Sequence, residues 1–296
     1  MARFLDRVAK LVAVRRPVAP VAGPEMQGAP RIVRRRNAEA LTDWRLMSGV
    51  ARLIKRAANL VGLEIARRDD EVRHFAHTPS LLHQRIAPLA TYSPWLNDPA
   101  FLAAYRRVRD RTALDIYRCY ELWSLVAQLG PSEGCILEVG TWRGGSGVLL
   151  ALADRAVGGR HQVYLADTFR GVVKTGQNDT LFRGGELADT TAGAVESLSR
   201  ANGVTATILE GVFPDETAHR ILEPILFLHC DVDAYRSARD VVEWTLPRLS
   251  AGGVIVLDDY GFFGCEGVTA YGNELRARHD LLFLHNLNGH GIFVKR

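Results

Sequence analysis

The feature that most constrains this chain is the run Cys135-Ile-Leu-Glu-Val-Gly-Thr-Trp-Arg-Gly-Gly-Ser-Gly147. A short apolar stretch ends in Glu138-Val-Gly140, a glycine-rich turn follows, and Val148 to Ala153 reads as an apolar helix. A strand that feeds a glycine turn and a helix start is how an open α/β sheet makes a ligand crevice at the carboxyl ends of its strands. Gly140 lets the chain turn tightly, and Gly144 and Gly145 let a ligand lie against bare backbone. The spacing is Glu-x-Gly-x-x-x-Gly. It departs from Gly-x-Gly-x-x-Gly, whose glycines seat a pyrophosphate. A leading acid suits a ligand with a cationic end, such as the amino group and sulfonium of S-adenosylmethionine (SAM). Glu138, Gly140, Gly144 and Ser146 are the cofactor contacts expected from this turn.

From Gly134 onward strand and helix alternate. Val163 to Ala166 is a second strand closing on Asp167, and Asp189 is expected to cap a helix running through Leu198. Val204 to Leu209 is a third strand, and Ile225 to His229 a fourth that runs into Cys230-Asp-Val-Asp233. Ser237 to Leu246 is helical. Gly253 to Leu257 is a fifth strand running into Asp258-Asp-Tyr260, and Glu266 to Arg278 is helical again. Leu281 to His285 and Gly291 to Lys295 are strands joined by a link short enough for a hairpin. Five parallel strands with a terminal antiparallel hairpin, preceded by N-terminal helices, is the Rossmann-like α/β sheet of the class I methyltransferases. A nicotinamide-type domain would end on another parallel strand, so the hairpin discriminates between them.

Asp167 follows Gly144 by 23 residues. An acid ending the second strand can accept hydrogen bonds from both ribose hydroxyls of an adenosine ligand. Thr168 beside it and Gly211 after the third strand complete the expected cofactor set. A second cluster is Asp231 and Asp233 after the fourth strand with Asp258 and Asp259 after the fifth. Four carboxylates at neighbouring strand ends repel unless something cancels their charge. A hard divalent cation, Mg²⁺ or Ca²⁺ in preference to Zn²⁺, would do so. A sugar hydroxyl is a poor nucleophile while it keeps its proton; a cation lowers its pKa and a carboxylate takes the proton. If Asp231, Asp258 and Asp259 hold the metal, Asp233 is left as that base. His229, inside an apolar strand, reads as a satisfied core histidine.

The net charge of +4 hides an asymmetry. Residues 1–68 hold 15 Lys/Arg against 5 Asp/Glu, so +10, and the remainder is −6. Met1 to Arg16 reads as a basic amphipathic helix, a candidate membrane-surface contact, and residues 17–36 as a flexible linker. Asp43 to Leu63 has helical spacing. Residues 69–97, with His74, His77 and His83, lack tight ligand spacing. Asp98 to Leu129 reads as two helices, the first opened by Asp98 as cap with Pro99 in its first turn. The resulting division is a basic arm over 1–36, a helical cap over 37–109 and a catalytic domain over 110–296. No nucleic-acid module follows the arm, so nucleic acid is not an expected partner. The four cysteines are widely spaced, which fits a reducing, cytoplasmic setting.

Four motifs in order, Leu137-Glu-Val-Gly-Thr-Trp-Arg-Gly-Gly-Ser146, Ala166-Asp-Thr-Phe-Arg-Gly171, Asp231-Val-Asp233 and Asp258-Asp-Tyr-Gly261, resemble the macrocin (TylF/MycF/NovP-type) O-methyltransferases over roughly residues 110–296. The resemblance implies SAM and Mg²⁺ as cofactors and a hydroxyl of a sugar or glycoside as acceptor. It implies that Asp231, Asp258 and Asp259 are metal ligands, that Asp233 is the general base, and that Gly184-Gly-Glu-Leu-Ala-Asp-Thr190 is a mobile segment over the site. The family carries His where this chain has Leu187. It also implies a homo-oligomer. The carboxylate cluster alone would also suit a catechol acceptor. An NAD-dependent oxidoreductase is disfavoured by the glycine spacing and by the lack of Tyr-x-x-x-Lys. A non-catalytic, membrane-associated protein is disfavoured by the intact aspartates.

Overall fold

The structure, a computed structural model, describes residues 73–74, 82–83 and 90–296. Contacts group the chain into two units, Met1–Arg67 and Arg68–Arg296, and all described residues belong to the second. The basic amphipathic helix, the linker, the Asp43 to Leu63 helix and His77 lie outside the described residues. Arg73–His74 pairs antiparallel with Leu82–His83. Among the described residues no helix is long and apolar enough to cross a membrane.

Seven strands form one sheet: β1 (Cys135–Val139), β2 (Gln162–Asp167), β3 (Thr207–Glu210), β4 (Ile225–Cys230), β5 (Leu249–Tyr260), β6 (Leu281–His285) and β7 (Gly289–Lys295). Their spatial order is β3-β2-β1-β4-β5-β7-β6. In that order the strands from β3 to β5 run parallel to one another, and β7 runs antiparallel to both β5 and β6. The terminal hairpin is therefore present, and the sheet does not end on a parallel strand.

Among the described residues six α-helices cover the two faces: α1 (Pro99–Val108), α2 (Ile116–Val126), α3 (Gly145–Ala156), α4 (Ala192–Ala201), α5 (Tyr235–Thr245) and α6 (Glu266–Leu275). Side-chain alternation along the strands divides the core in two. Leu137, Val139, Leu228 and Cys230 pack with Val241, Val242 and Val268 on the α5–α6 face. Ile136 and Phe227 pack with Leu122, Val148 and Leu149 on the α1–α3 face. All four cysteines are buried as free thiols.

Capping chemistry sets the helix starts. Asp98 Oδ1 accepts from the Phe101 N–H at 2.8 Å, and its Oδ2 accepts from the Trp123 indole at 3.0 Å, which ties α1 to α2. Asp115 accepts from the N–H groups of Tyr117 and Arg118 to open α2. The expected cap at Asp189 is corrected. Thr191 opens α4, its hydroxyl accepting from the Ala194 N–H at 3.2 Å, while Asp189 is drawn away to Trp142 and Arg143. Thr191→Ala is expected to lower stability by about 1 kcal/mol, read as a shifted denaturation midpoint with unchanged slope. The third strand begins at Thr207, later than expected, because the Val204 N–H is used to close the end of α4 on Ser199.

Candidate functional site

The chain runs from β1 outward to β2 and β3, then crosses back to lay β4 on the other side of β1. The strand order thus reverses between β1 and β4, and a crevice opens there at the carboxyl ends. The Asp231 N–H donates to the Val139 carbonyl at 2.9 Å, which locks the two strand ends together. Gly140 sits in this corner with φ +91°, and a Cβ on it would lie 1.5 Å from the Asp231 carbonyl oxygen. Only glycine fits. The cleft encloses about 980 Å³ of space, open mouth included. Gly140, Ser146, Asp167, Thr168 and Gly211 line it on one side, and Asp231, Asp233, Asp258 and Asp259 on the other.

Asp167 is held by two backbone donors. Its Oδ2 accepts from the Trp142 N–H and its Oδ1 from the Phe169 N–H, each at 2.7 Å. Both donors belong to residues with left-handed backbone, φ 45° and 52°, which turn their N–H groups back onto the carboxylate. Burial raises the Asp167 carboxyl above its ordinary pKa, against the pull of these N–H groups. Each oxygen keeps a further lone pair for a ligand hydroxyl. The Gly211 N–H donates to the Asp167 carbonyl at 2.9 Å, which fixes the turn after β3 beside the end of β2. The Thr168 hydroxyl is used within its own turn, donating to the Gly171 carbonyl and accepting from the Arg170 N–H.

Two expected cofactor residues do not line the cleft. Glu138 is fully buried on the α1–α3 face, under Gly147 of α3. Its carboxylate accepts from the Thr141 hydroxyl and faces His229 Nδ1 at 2.9 Å, so it is not turned toward a ligand. Gly144 has φ +83° at the start of α3, and a Cβ there would press on Val195 of α4 at 2.8 Å. Its bareness serves helix packing. The backbone of Gly145 is likewise covered by the chain itself, at Arg111 and Thr112.

The acidic cluster is assembled by a bulge. Adjacent residues of a strand point to opposite faces. The register of β5 against β7 shifts between Leu257 and Tyr260, and Asp259 has φ +59°. This kink brings an oxygen of Asp259 together with one each from Asp231 and Asp258, all within 4.8 Å of one another. Asp233 also has left-handed backbone, φ +60°, and its oxygen lies within 4.8 Å of donors on Asp259 and Cys265. Burial and the neighbouring aspartates push Asp231 and Asp259 well above the ordinary carboxylate range, and burial pushes Asp233 up to about 6. Buried carboxylates held this close repel one another unless a cation offsets their charge. Three gathered carboxylate oxygens therefore fit a hard divalent ion.

Asp258 behaves differently. Burial alone would raise it, but the contacts with His290 and Arg118 hold it far below its ordinary value. Arg118 Nη1 donates to both Asp258 oxygens, at 2.8 and 2.9 Å, and Nε donates to Asp115 at 3.0 Å. His290 Nε2 lies 3.3 Å from Asp258 Oδ1. Sequence reasoning missed Arg118, which also lines the cleft. The available signal was an arginine on the buried stripe of α2, beside Cys119 and one turn from Leu122. A cation in such a stripe needs an acid partner. It also missed Thr112, Ala113 and Leu114, which close the near side of the cleft.

The segment expected to cover the site folds back onto the turn after β2. The Val172 N–H donates to the Glu186 carbonyl and the Gly185 N–H to the Val172 carbonyl, both at 2.9 Å. Leu187 lines the cleft. Asp189 accepts from the Trp142 indole at 2.6 Å and pairs with Arg143, whose guanidinium stacks on the Trp142 ring. Asp189→Ala is expected to speed amide exchange across residues 183–190 by about two- to fivefold. Hydrogen-exchange mass spectrometry would read this, with α4 as the unchanged internal control.

Comparison with known proteins adds to this geometry. The chain is 29% identical over 173 residues to an 8-demethyl-8-(2,3-dimethoxy-alpha-L-rhamnosyl)-tetracenomycin-C 4'-O-methyltransferase of Streptomyces olivaceus, covering 54% of this chain and 65% of that protein. It is 30% identical over 161 residues to a mycinamicin III 3''-O-methyltransferase of Micromonospora griseorubida, covering 50% and 62%. The matches thus span less than two thirds of these relatives' lengths. Among solved structures, the calicheamicin methyltransferase CalS11 superposes with a TM-score of 0.51 at 15% identity, covering 70% of this chain and 94% of that one, a likeness of fold. The family model for macrocin-O-methyltransferase (TylF) matches residues 124–296, which include every residue named above from β1 to β7. The chain belongs to the TylF macrocin O-methyltransferase family.

Proposed function

We propose that this protein is a SAM- and Mg²⁺-dependent O-methyltransferase acting on a hydroxyl of a sugar or glycoside. The observation that carries this reading is the pairing, in one cleft at the switch point, of a held ribose acceptor, Asp167, with the acidic cluster of Asp231, Asp233, Asp258 and Asp259. The sugar acceptor is supported by the two relatives, named for methylating tetracenomycin and mycinamicin compounds.

SAM, when bound, supplies a methyl group already activated by its sulfonium. Asp231, Asp258 and Asp259 would hold a divalent cation, which would supply the charge that lowers the pKa of an acceptor hydroxyl. The chain's own residues do the rest. Asp167 orients the nucleoside end through its free lone pairs. Thr112, Ala113 and Leu114 on one side and Leu187 on the other narrow the mouth and exclude water. Arg118 and His290 keep Asp258 ionised and so ready to act as a ligand. Asp233 takes the acceptor proton, and burial gives it a basicity near neutrality suited to that step.

The test is calorimetric titration of SAM and NAD⁺ into the full chain, with Mg²⁺ or with EDTA, followed by a screen of glycoside acceptors for methylation. SAM binding without NAD⁺ binding is expected. Absence of SAM binding to the folded protein in both conditions would overturn the reading.

A further inference from the structure

Beside the acidic cluster, on the α2–α3 face of the sheet, lies a second set of buried donors that shares Asp258 with that cluster. His229 of β4, Asp258 of β5 and His290 of β7 each offer one donor atom, and these lie within 4.8 Å of one another. None of the three is more than 2% exposed. Each imidazole is fixed from behind. His229 Nδ1 lies 2.9 Å from Glu138 Oε1, and His290 Nδ1 lies 2.5 Å from Glu121 Oε2. A carboxylate at Nδ1 sets the tautomer and turns Nε2 toward a ligand position, the arrangement that backs histidine metal ligands.

Both Nε2 atoms are fully buried and lack a hydrogen-bond partner among the described residues. His290 Nε2 faces Asp258 Oδ1 at 3.3 Å as an ion pair, whereas His229 Nε2 faces no such charge among the described residues. Buried polar atoms without partners are uncommon, and His229 Nε2 in this cluster points to a ligand shared with its neighbours.

We propose that His229, His290 and Asp258 form a site for a borderline divalent transition-metal ion of the Zn²⁺ or Co²⁺ class, sharing Asp258 with the all-oxygen cluster. Two imidazoles and one carboxylate suit such an ion better than Mg²⁺. Bound there, it cross-links β4, β5 and β7 and, through Glu121, fastens α2 to the sheet. The site rests on the donor geometry, and His229 is the donor that the methyl-transfer reading leaves unused.

The experiment titrates Co²⁺ into the full chain, stripped of metal and then saturated with Mg²⁺ to fill the all-oxygen cluster, and follows the visible absorption of the bound ion. One equivalent is expected to bind. Affinity is expected to fall at least tenfold in His229→Gln and in His290→Gln, and to stay within twofold in Asp231→Asn. A measurement on the unaltered chain removes the dependence on variant folding: X-ray absorption at the zinc edge of the Zn²⁺-loaded protein should report two imidazoles. Absence of binding, binding indifferent to both histidine variants, binding lost with Asp231→Asn alone, or an all-oxygen zinc shell would each overturn the proposal. SAM titration of the same samples reads the methyltransferase proposal separately, so the two can fail independently.

Discussion

Asp233→Asn is expected to lower kcat by about 10³-fold, the scale of a lost general base, while SAM and Mg²⁺ affinities stay within a few-fold. The amide is the same size as the carboxylate, and asparagine tolerates the left-handed backbone that Asp233 adopts at φ +60°. The loop between β4 and α5 should therefore keep its shape. What disappears is the only proton acceptor of the cluster that the metal assignment leaves free. The measurement is kcat for a methylated glycoside beside calorimetric affinities for cofactor and metal. Full activity would remove Asp233 from the chemistry. A large loss of metal affinity would place it among the ligands instead.

Gly140→Ala should produce the largest loss of stability. A Cβ there meets the Asp231 carbonyl oxygen at 1.5 Å, and the neighbour is backbone locked to Val139, so it cannot step aside. With φ +91° the residue also adopts a conformation that L side chains rarely take. Together these should cost more than about 3 kcal/mol, a fall of roughly 6–12 °C in melting midpoint for a unit of this size. Gly158→Ala is the control. Gly158 has φ +79°, yet nothing lies within 4 Å of its would-be Cβ. The difference between the two variants isolates the close approach of β1 to the end of β4. Equal destabilisation would show that backbone conformation alone, and not this contact, makes glycine necessary at position 140.

The family assignment and the site can be weighed together. The TylF match begins at residue 124, inside α2, so Arg118 lies just outside it. Yet Arg118 is bound to Asp258, one of the proposed metal ligands, 140 residues away in sequence. The helical prelude therefore supplies a charge to the site as well as a cover for the sheet.

Several features were determined by the sequence alone. Apolar runs ending in acids located β1, β2, β4 and β5, and the link after Leu281 to His285 announced the antiparallel hairpin. Asp98 caps its helix because a short acidic side chain before an apolar periodic stretch has N–H groups within reach. The strand-end aspartates were legible because in a parallel sheet the carboxyl ends share one edge, whatever the details of packing. Other features were decided by the tertiary structure. Glu138 turns under α3 because strand alternation places it on the opposite face from Leu137 and Val139, and α3 covers that face. Asp258 and Asp259 gather with Asp231 only because a bulge breaks the alternation of β5, and nothing in the local sequence marks it. The cations that hold Asp258 come from α2 and β7. A buried charge is balanced by whichever opposite charge packing brings within about 4 Å, and that distance is a property of the folded chain.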